Sequence, residues 1–379
     1  MKTHSLRCGQ IVGTRDHVVD VTLKDGKVAA VIPSSDDETR MPLKKRWLAP
    51  GFVDLHTHLT WTDFDHTDQE KRSVEEQEAM QAAAFTATFR AGMTIARDAG
   101  GLEPAIAARL SEHYCLPLSA IACGAMLDAD DARGAGYLQK RIQGISKSGA
   151  TWIKLFATGG LGSPTEKVLD PLFSKEEMAA VISSAHAHHM RVMVHTWGGS
   201  SLDWAIKAGV DTVEHGVFMT EDQAARLAEA QIPLIPTTAI YRIAADSHGP
   251  LALPELICTR AARAAEAHLT SVRAAKRAGV RIGFGTDFAT PMLHGHNLIE
   301  LDALVDCGLT RAEAWQAATV NGRRILRLPE WTLLPGATVD AVVYHTDPLS
   351  AGDAAALHRM IAGVFKGDKQ WTTKGGQES

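Results

Sequence analysis

From residue 51 onward the chain alternates between two hydrophobic periodicities. Short apolar runs of strand character recur at "GFVDLH" (51–56), "MTIAR" (93–97), "LPLSAI" (116–121), "TWIKLF" (151–156), "RVMVH" (191–195), "VDTVEH" (210–215), "IPLIPT" (232–237) and "VRIGFGT" (280–286). Longer helix-like stretches separate them, such as "SVEEQEAMQAAAFTATFRAG" and "SKEEMAAVISSAHAHH". Ser174 with Glu177 three residues on is a capping-box pattern and predicts a helix start. Gly92, Gly149, Gly209 and Gly279 stand where helices should end. Eight strands alternating with helices predict an α/β fold, a (β/α)8 TIM barrel over residues 51–329. A doubly wound open sheet fits less well, because no glycine-rich turn follows the first strand.

Residues 1–50 and 330–379 break the alternation. "VVDVTLKDGKVAAVI" reads as two strands joined at Asp25-Gly26, a hairpin signal. "ATVDAVVYH" and "HRMIAGVFKG" read as further β-segments. The two ends are expected to pair into one composite, small β-sandwich-like domain beside the barrel. The final "TTKGGQES" reads as a loose polar tail.

Composition narrows the setting. Apolar residues make up 45% and charged residues 22%, with a formal net charge of −5 and no long like-charge block. That profile fits a soluble globular protein and offers no basic footprint for nucleic acid or an anionic membrane. The five cysteines are scattered and odd in number, without a C-x-x-C pair, so they read as buried packing in a reducing compartment. "MKTHSLRCGQ" has no apolar leader, and no run is long enough to span a bilayer. A cytoplasmic protein is expected.

The chemistry gathers at strand ends. Residues two apart on a strand share a face, so Phe52, Asp54, His56 and His58 are expected on one side of the first run. Lys154 lies in the fourth run, His195 ends the fifth, His215 ends the sixth, and Asp287 follows the eighth. In a barrel all six of these residues, His56 and His58 included, would face one mouth. Imidazoles and carboxylates are good ligands for a divalent ion. Lys154 needs separate explanation, since an ammonium repels cations. Either it pairs with a buried carboxylate, or burial lowers its pKa and the neutral amine adds carbon dioxide to become an anionic carbamate.

"PGFVDLHTHL", "IKLFATGG", "VMVHTWGG", "VEHG" and "GFGTDFATPMLHGHN", in this order, resemble the amidohydrolase superfamily of metal-dependent hydrolases. "GMTIARDAGG" with "IKLFATGG" is similar to its imidazolonepropionase-like and prolidase-like branch, which includes dipeptidases and related amide hydrolases. The resemblance covers roughly residues 48–328 and implies a two-metal site. One ion would be held by His56, His58 and Asp287, the other by His195 and His215, with carboxylated Lys154 bridging them. Zinc is the first expectation, with manganese, iron or cobalt as alternatives. Imidazolonepropionase itself uses one metal and lacks the lysine, so Lys154 points to the two-metal relatives. The implied reaction is hydrolysis of an amide C–N bond in a dipeptide, an N-acyl amino acid or a small cyclic amide. A metal-bridging hydroxide would attack, with Asp287 as general base and then acid.

Substrate contacts are assigned more loosely. Tyr241 and Arg242, after the seventh run, are candidates to meet a substrate carboxylate. Thr158, Gly159 and Gly160 are candidates for a covering loop, against a plain turn. His294 and His296 either line the pocket or stabilise their loop. Arg97 and Asp98 read as a structural ion pair, and Glu214 is expected to face away from the mouth by alternation. Rival readings are a heterocycle deaminase, a lactone or carbamate hydrolase on the same ligands, and a non-catalytic barrel serving in assembly. The deaminase is disfavoured by Lys154 and by "HTWGG", which lacks an H-x-x-E after His195. The expected partner is a small-molecule substrate, and related proteins often form homo-oligomers.

Overall fold

The computed structural model describes residues 3–11, 19–33, 46–63, 66–162 and 167–373. Its strands are β1 (Thr3–Ile11), β2 (Val19–Lys24), β3 (Lys27–Pro33), β4 (Arg46–Pro50), β5 (Phe52–Thr57), β6 (Met93–Asp98), β7 (Ser119–Ile121) and β8 (Met126–Leu127). They continue with β9 (Trp152–Phe156), β10 (Arg191–Thr196), β11 (Thr212–His215), β12 (Leu234–Ile235), β13 (Asp340–Tyr344), β14 (Ile361–Lys366) and β15 (Lys369–Thr372).

Strands β5 to β12 build the barrel. β5, β6 and β7 pair in parallel, as do β8, β9, β10, β11 and β12. The third predicted run, 116–121, is a strand only over β7, and β8 lies beyond it. β7 pairs with β6, and after a short irregular stretch β8 pairs with β9. The eighth run is not a regular strand either. Its one ladder contact is Ile282 with Leu234, yet it closes the ring by hydrogen bonding on both sides. Gly283 N–H donates to Leu234 O, while Leu55 N–H donates to Phe284 O and Thr286 N–H to His56 O. Just beyond this run Asp287, at a φ of 55°, turns the chain through left-handed backbone.

Helices pack outside, and their starts and stops follow local chemistry. Ser174 Oγ accepts from Glu177 N–H and the Glu177 carboxylate accepts from Ser174 N–H, opening the helix Lys175–Ala187. The helices Gly199–Ala208 and Glu255–Ala278 end at Gly209 and Gly279, whose φ values of 76° and 80° favour residues without a Cβ. The floor of the barrel is apolar and cationic together. The Trp152 ring lies between the guanidinium groups of Arg97 and Arg191, at 4.3 and 4.0 Å. Each such contact contributes about 0.5–2 kcal/mol. Arg191 also donates to the carbonyls of Ile325 and Leu326, tying the last barrel helix under the floor.

Both ends of the chain meet in one seven-stranded sheet, ordered β15-β14-β13-β4-β1-β2-β3. Asp25 and Gly26, at φ 49° and 76°, form the turn between β2 and β3. Alternation along β13 buries the sheet on both sides. Val342 and Tyr344 join the large core with the barrel helices, whereas Ala341 and Val343 join a smaller core with Val21, Leu48 and Phe365. Asp340 joins the sheet to the barrel: its carboxylate accepts from Thr94 of β6, and from Arg323 and Lys366 at 2.6 and 2.7 Å. The segment read as continuous strand at 358–367 starts as the end of a helix, Ala354–Met360. The polar tail expected to be loose from residue 372 is not loose at its start, where Thr372 ends β15 and Thr373 N–H donates to Ala362 O. From residue 374 it lies outside the described residues, and so does the side chain of Cys8. Cys123, Cys258 and Cys307 are buried as expected, but Cys115 is exposed at a helix end.

Candidate active site

Strand β5 delivers its histidines by breaking its own alternation. Phe52 points to the outer layer, edge-on to Trp315 at 4.8 Å, and Asp54 accepts from Thr286 and Asn297. The register with β6 shifts between Asp54 and Thr57. That irregularity resets the parity, so His56 faces Glu214 instead of sharing a side with Phe52 and Asp54. The shared-face expectation for Phe52, Asp54, His56 and His58 is corrected on this point.

Six strand-end side chains converge. His58 Nε2 and His56 Nε2 stand 3.1 and 3.3 Å from the same oxygen of Asp287. Lys154 Nζ is 3.1 Å from His56 Nε2. The rings of His56 and His195 lie 4.9 and 4.4 Å from that of His215. Donor atoms of His56, His215 and Asp287 all fall within 4.8 Å of one another, a candidate metal site.

Hydrogen bonding on the far side of each ring fixes what the near side offers. His56 Nδ1 gives its proton to the Glu214 carboxylate at 2.6 Å, and His58 Nδ1 gives its own to Gly100 O at 3.2 Å. Each Nε2 is then a lone pair, and both face a carboxylate oxygen. Acceptors so close repel unless a cation or proton lies between them. The donor set thus fits a divalent ion, with the outer carboxylate–imidazole contact that orients a ligand.

Charge states agree with that role. Burial and the Lys154 charge push the His195 imidazole down to about 3, and burial with the His195 charge pushes His215 well below its ordinary value. Burial would raise Asp287, but positive charge on the His56 and His58 side, carried by the rings or by a cation between them, outweighs it and holds the carboxyl well below the usual range. Burial also lowers the Lys154 ammonium, against the opposing charges of Glu214 and Asp287. Among the described residues no carboxylate lies within ion-pair distance of Lys154.

Several residues that hold the site were not anticipated. Glu214 faces inward, opposite His195 in the β10–β11 register, and Arg97 Nη2 donates to it at 2.9 Å. His215 also reaches the interior because its φ of 70° breaks the strand parity used to turn Glu214 outward. Arg97 therefore pairs with Glu214 and not with Asp98. The Asp98 carboxylate instead accepts from the backbone N–H groups of Leu59, Gly100 and Leu102. Thr237, at φ 53°, places its hydroxyl 2.7 Å from His215 Nδ1, and His268 Nε2 donates to His215 O. The Glu300 carboxyl, pushed up to about 8 by burial, accepts from Thr238 and Ala239 N–H at the start of the next helix. Left-handed backbone at His215, Thr237 and Asp287 sets the geometry around which these residues gather, and sequence alone does not display it.

The looser candidates separate. Tyr241 is buried beside the cluster, its ring 6.1 Å from His215 and its hydroxyl accepting from Trp197 Nε1 at 3.1 Å. Burial and the Asp287 charge hold its phenol protonated. Thr158 accepts from Trp197 N–H, and the Gly159 carbonyl accepts from His195 Nε2. A Cβ on Gly160 would sit 3.0 Å from the His195 ring, so this turn packs against a candidate ligand. His294 is buried against Thr88, His296 is exposed, and Arg242 turns outward to Asp306. Neither His296 nor Arg242 joins the cluster.

A profile described as the amidohydrolase family matches residues 47–371. The chain belongs to the amidohydrolase family. This amidohydrolase is a hydrolase by that membership. It is 30% identical over 318 residues to an uncharacterised protein of Mycobacterium tuberculosis, with 80% of each chain covered. It is 28% identical over 242 residues to ochratoxinase of Aspergillus niger, covering 63% of this chain and 50% of that one. A crystal structure of a prolidase in complex with N-methylphosphonate-L-proline superposes with a TM-score of 0.87 at 21% identity, over 98% of this chain and 100% of the other. At that identity the likeness concerns the fold, a barrel of the amidohydrolase type. None of the described helices is long and apolar enough to cross a membrane.

Proposed function

We propose that this amidohydrolase cleaves the C–N bond of a small amide, such as a dipeptide, an N-acyl amino acid or a cyclic amide, at a site for two divalent ions. The observation that carries this reading is the pair of Nε2 lone pairs of His56 and His58 directed at one Asp287 oxygen, beside the buried amine of Lys154. His56, His58 and Asp287 would hold one ion, His195 and His215 the other, and a carbamate on Lys154 would bridge them. Lys154 supports that bridge by being buried, shifted toward its neutral form and without a carboxylate partner among the described residues. Bound ions would acidify a water and polarise the carbonyl of the substrate.

The side chains supply the rest. Asp287, held ionised and 22% exposed at the mouth, takes the proton of the attacking water and returns it to the departing nitrogen. Tyr241, held protonated, offers its O–H to a substrate oxygen while Trp197 fixes its position. Glu214 keeps the His56 tautomer constant through the cycle. Relatives named for ochratoxin and prolyl substrates support amide chemistry over deamination.

Amine release from a library of dipeptides, N-acyl amino acids and lactams tests the proposal, with protein prepared in zinc or manganese plus bicarbonate. Release from one group is the expected result. Silence across the library, with lactone or heterocycle turnover in its place, would transfer the function to those classes.

A further inference from the structure

A pocket of about 310 Å³ opens at the same end of the barrel as the histidine cluster. Trp197 and Phe218, which line it, follow His195 and His215 by two and three residues beyond β10 and β11. Trp197 is the shared wall: its indole N–H is bonded to Tyr241, whose ring stands next to His215. Arg260, on the opposite side, donates to the carbonyls of Gly160 and Leu161, in the turn that packs against His195. The pocket is thus built into the supports of the site.

Its lining is apolar with a cationic rim. Leu169 and Leu256 are large apolar side chains left 37% and 58% exposed, and both border this cavity. Exposed apolar groups gathered around one concavity favour an apolar occupant. Arg263 stands exposed on the rim, its guanidinium 5.7 Å from the Phe218 ring centre, with no carboxylate bridging it among the described residues. Lys167 adds positive charge, partly offset by Asp170 at 4.0 Å. At the low end of the roughly 300–1,000 Å³ typical of ligand pockets, the volume suits one residue-sized group.

We infer that this pocket receives a large apolar, carboxylate-bearing portion of the substrate, so that the preferred amides are those of phenylalanine-like amino acids. The ring would lie against Trp197, Phe218 and Leu256, with the carboxylate at Arg263. This assignment rests on the amide-hydrolase reading for the word substrate, but the pocket's ligand class is testable without turnover.

The test uses three probes that have no amide to cleave: L-phenylalanine, L-alanine, which lacks the ring, and phenethylamine, which lacks the carboxylate. Calorimetric titration of the full chain should show L-phenylalanine binding about tenfold or more tighter than either. Arg263→Gln should erase the preference over phenethylamine, and Leu256→Asp the preference over L-alanine; both positions are exposed, so folding should survive. Equal binding of the three probes, no saturable binding, or unchanged preferences in both variants would overturn the assignment. Amide turnover measured separately keeps the readings apart. Selective probe binding without turnover preserves the ligand class and removes the hydrolysis, and turnover without selective binding does the reverse.

Discussion

Glu214 Oε2 stands 2.6 Å from His56 Nδ1, and its other oxygen accepts from the buried guanidinium of Arg97. One carboxylate thereby fixes the tautomer of a candidate ligand and neutralises a buried cation. Arg97 and His56 outweigh the effect of burial and hold the Glu214 carboxyl down to about 2, so it stays ionised at any working pH. Glu214→Gln should weaken metal retention about 10–100-fold in a chelator titration. It should also lower Tm, because Arg97 keeps its charge and loses its partner. Unchanged metal affinity would remove Glu214 from the site's support.

Lys154→Met makes a sharper prediction, since stability and function should move in opposite directions. Without metal, the variant should melt above the wild type, because a buried amine is replaced by an apolar side chain of similar length. With metal, it should retain less of the second ion and lose about 10–100-fold or more of activity. Bicarbonate during preparation should raise wild-type activity and leave the variant unaffected. A variant as active as wild type would end the carbamate reading.

Asp287→Asn keeps the shape of the side chain and removes its basicity. Activity should fall by roughly 10²–10⁴, the usual contribution of a positioned acid–base group. Circular dichroism should be unchanged. A loss of less than about threefold, within the context-dependence of single contributions, would move the proton transfer elsewhere.

Acid stability should depend on Asp340. Burial raises its carboxyl, but the charges of Lys366 and Arg323 outweigh that and leave it below its ordinary value of 3.8. A depressed folded-state pKa gives stability that is present above the unfolded value and lost as pH falls through the folded one. Asp340→Asn should therefore be destabilising at pH 7, with a deficit that shrinks below about pH 4. Denaturant melts across that range check this; a deficit independent of pH would contradict it.

The six strand-end residues were legible because strand periodicity and residue type are local properties, and a parallel barrel converts strand ends into one mouth. What escaped was parity. The irregularity in β5 and the left-handed turns at His215 and Asp287 decide which way His56 and Glu214 face. Those choices are set by neighbouring strands and by Thr237 and His268, far away in sequence. The eighth strand was legible as an apolar run but not as a segment that bonds both neighbours without forming a ladder. Arg242 was a reasonable carboxylate reader by composition. Its helix turns it toward Asp306, an orientation the single letter does not encode.

The pairing of β4 with β13, Trp47 opposite Tyr344 and Pro50 opposite Ala341, has a consequence for how the protein is made. Most barrel strands can join the strand before them as they leave the ribosome, while β5 keeps an open edge until the eighth run closes the ring. β4 can pair early with β1, but its other neighbour, β13, is synthesised only after the whole barrel. Until then Leu48 and Ala49 stay uncovered on a strand with one open edge, the state in which chains recruit one another. Synthesis of β13 is thus the step that covers the open edge of β4 and removes this risk of aggregation.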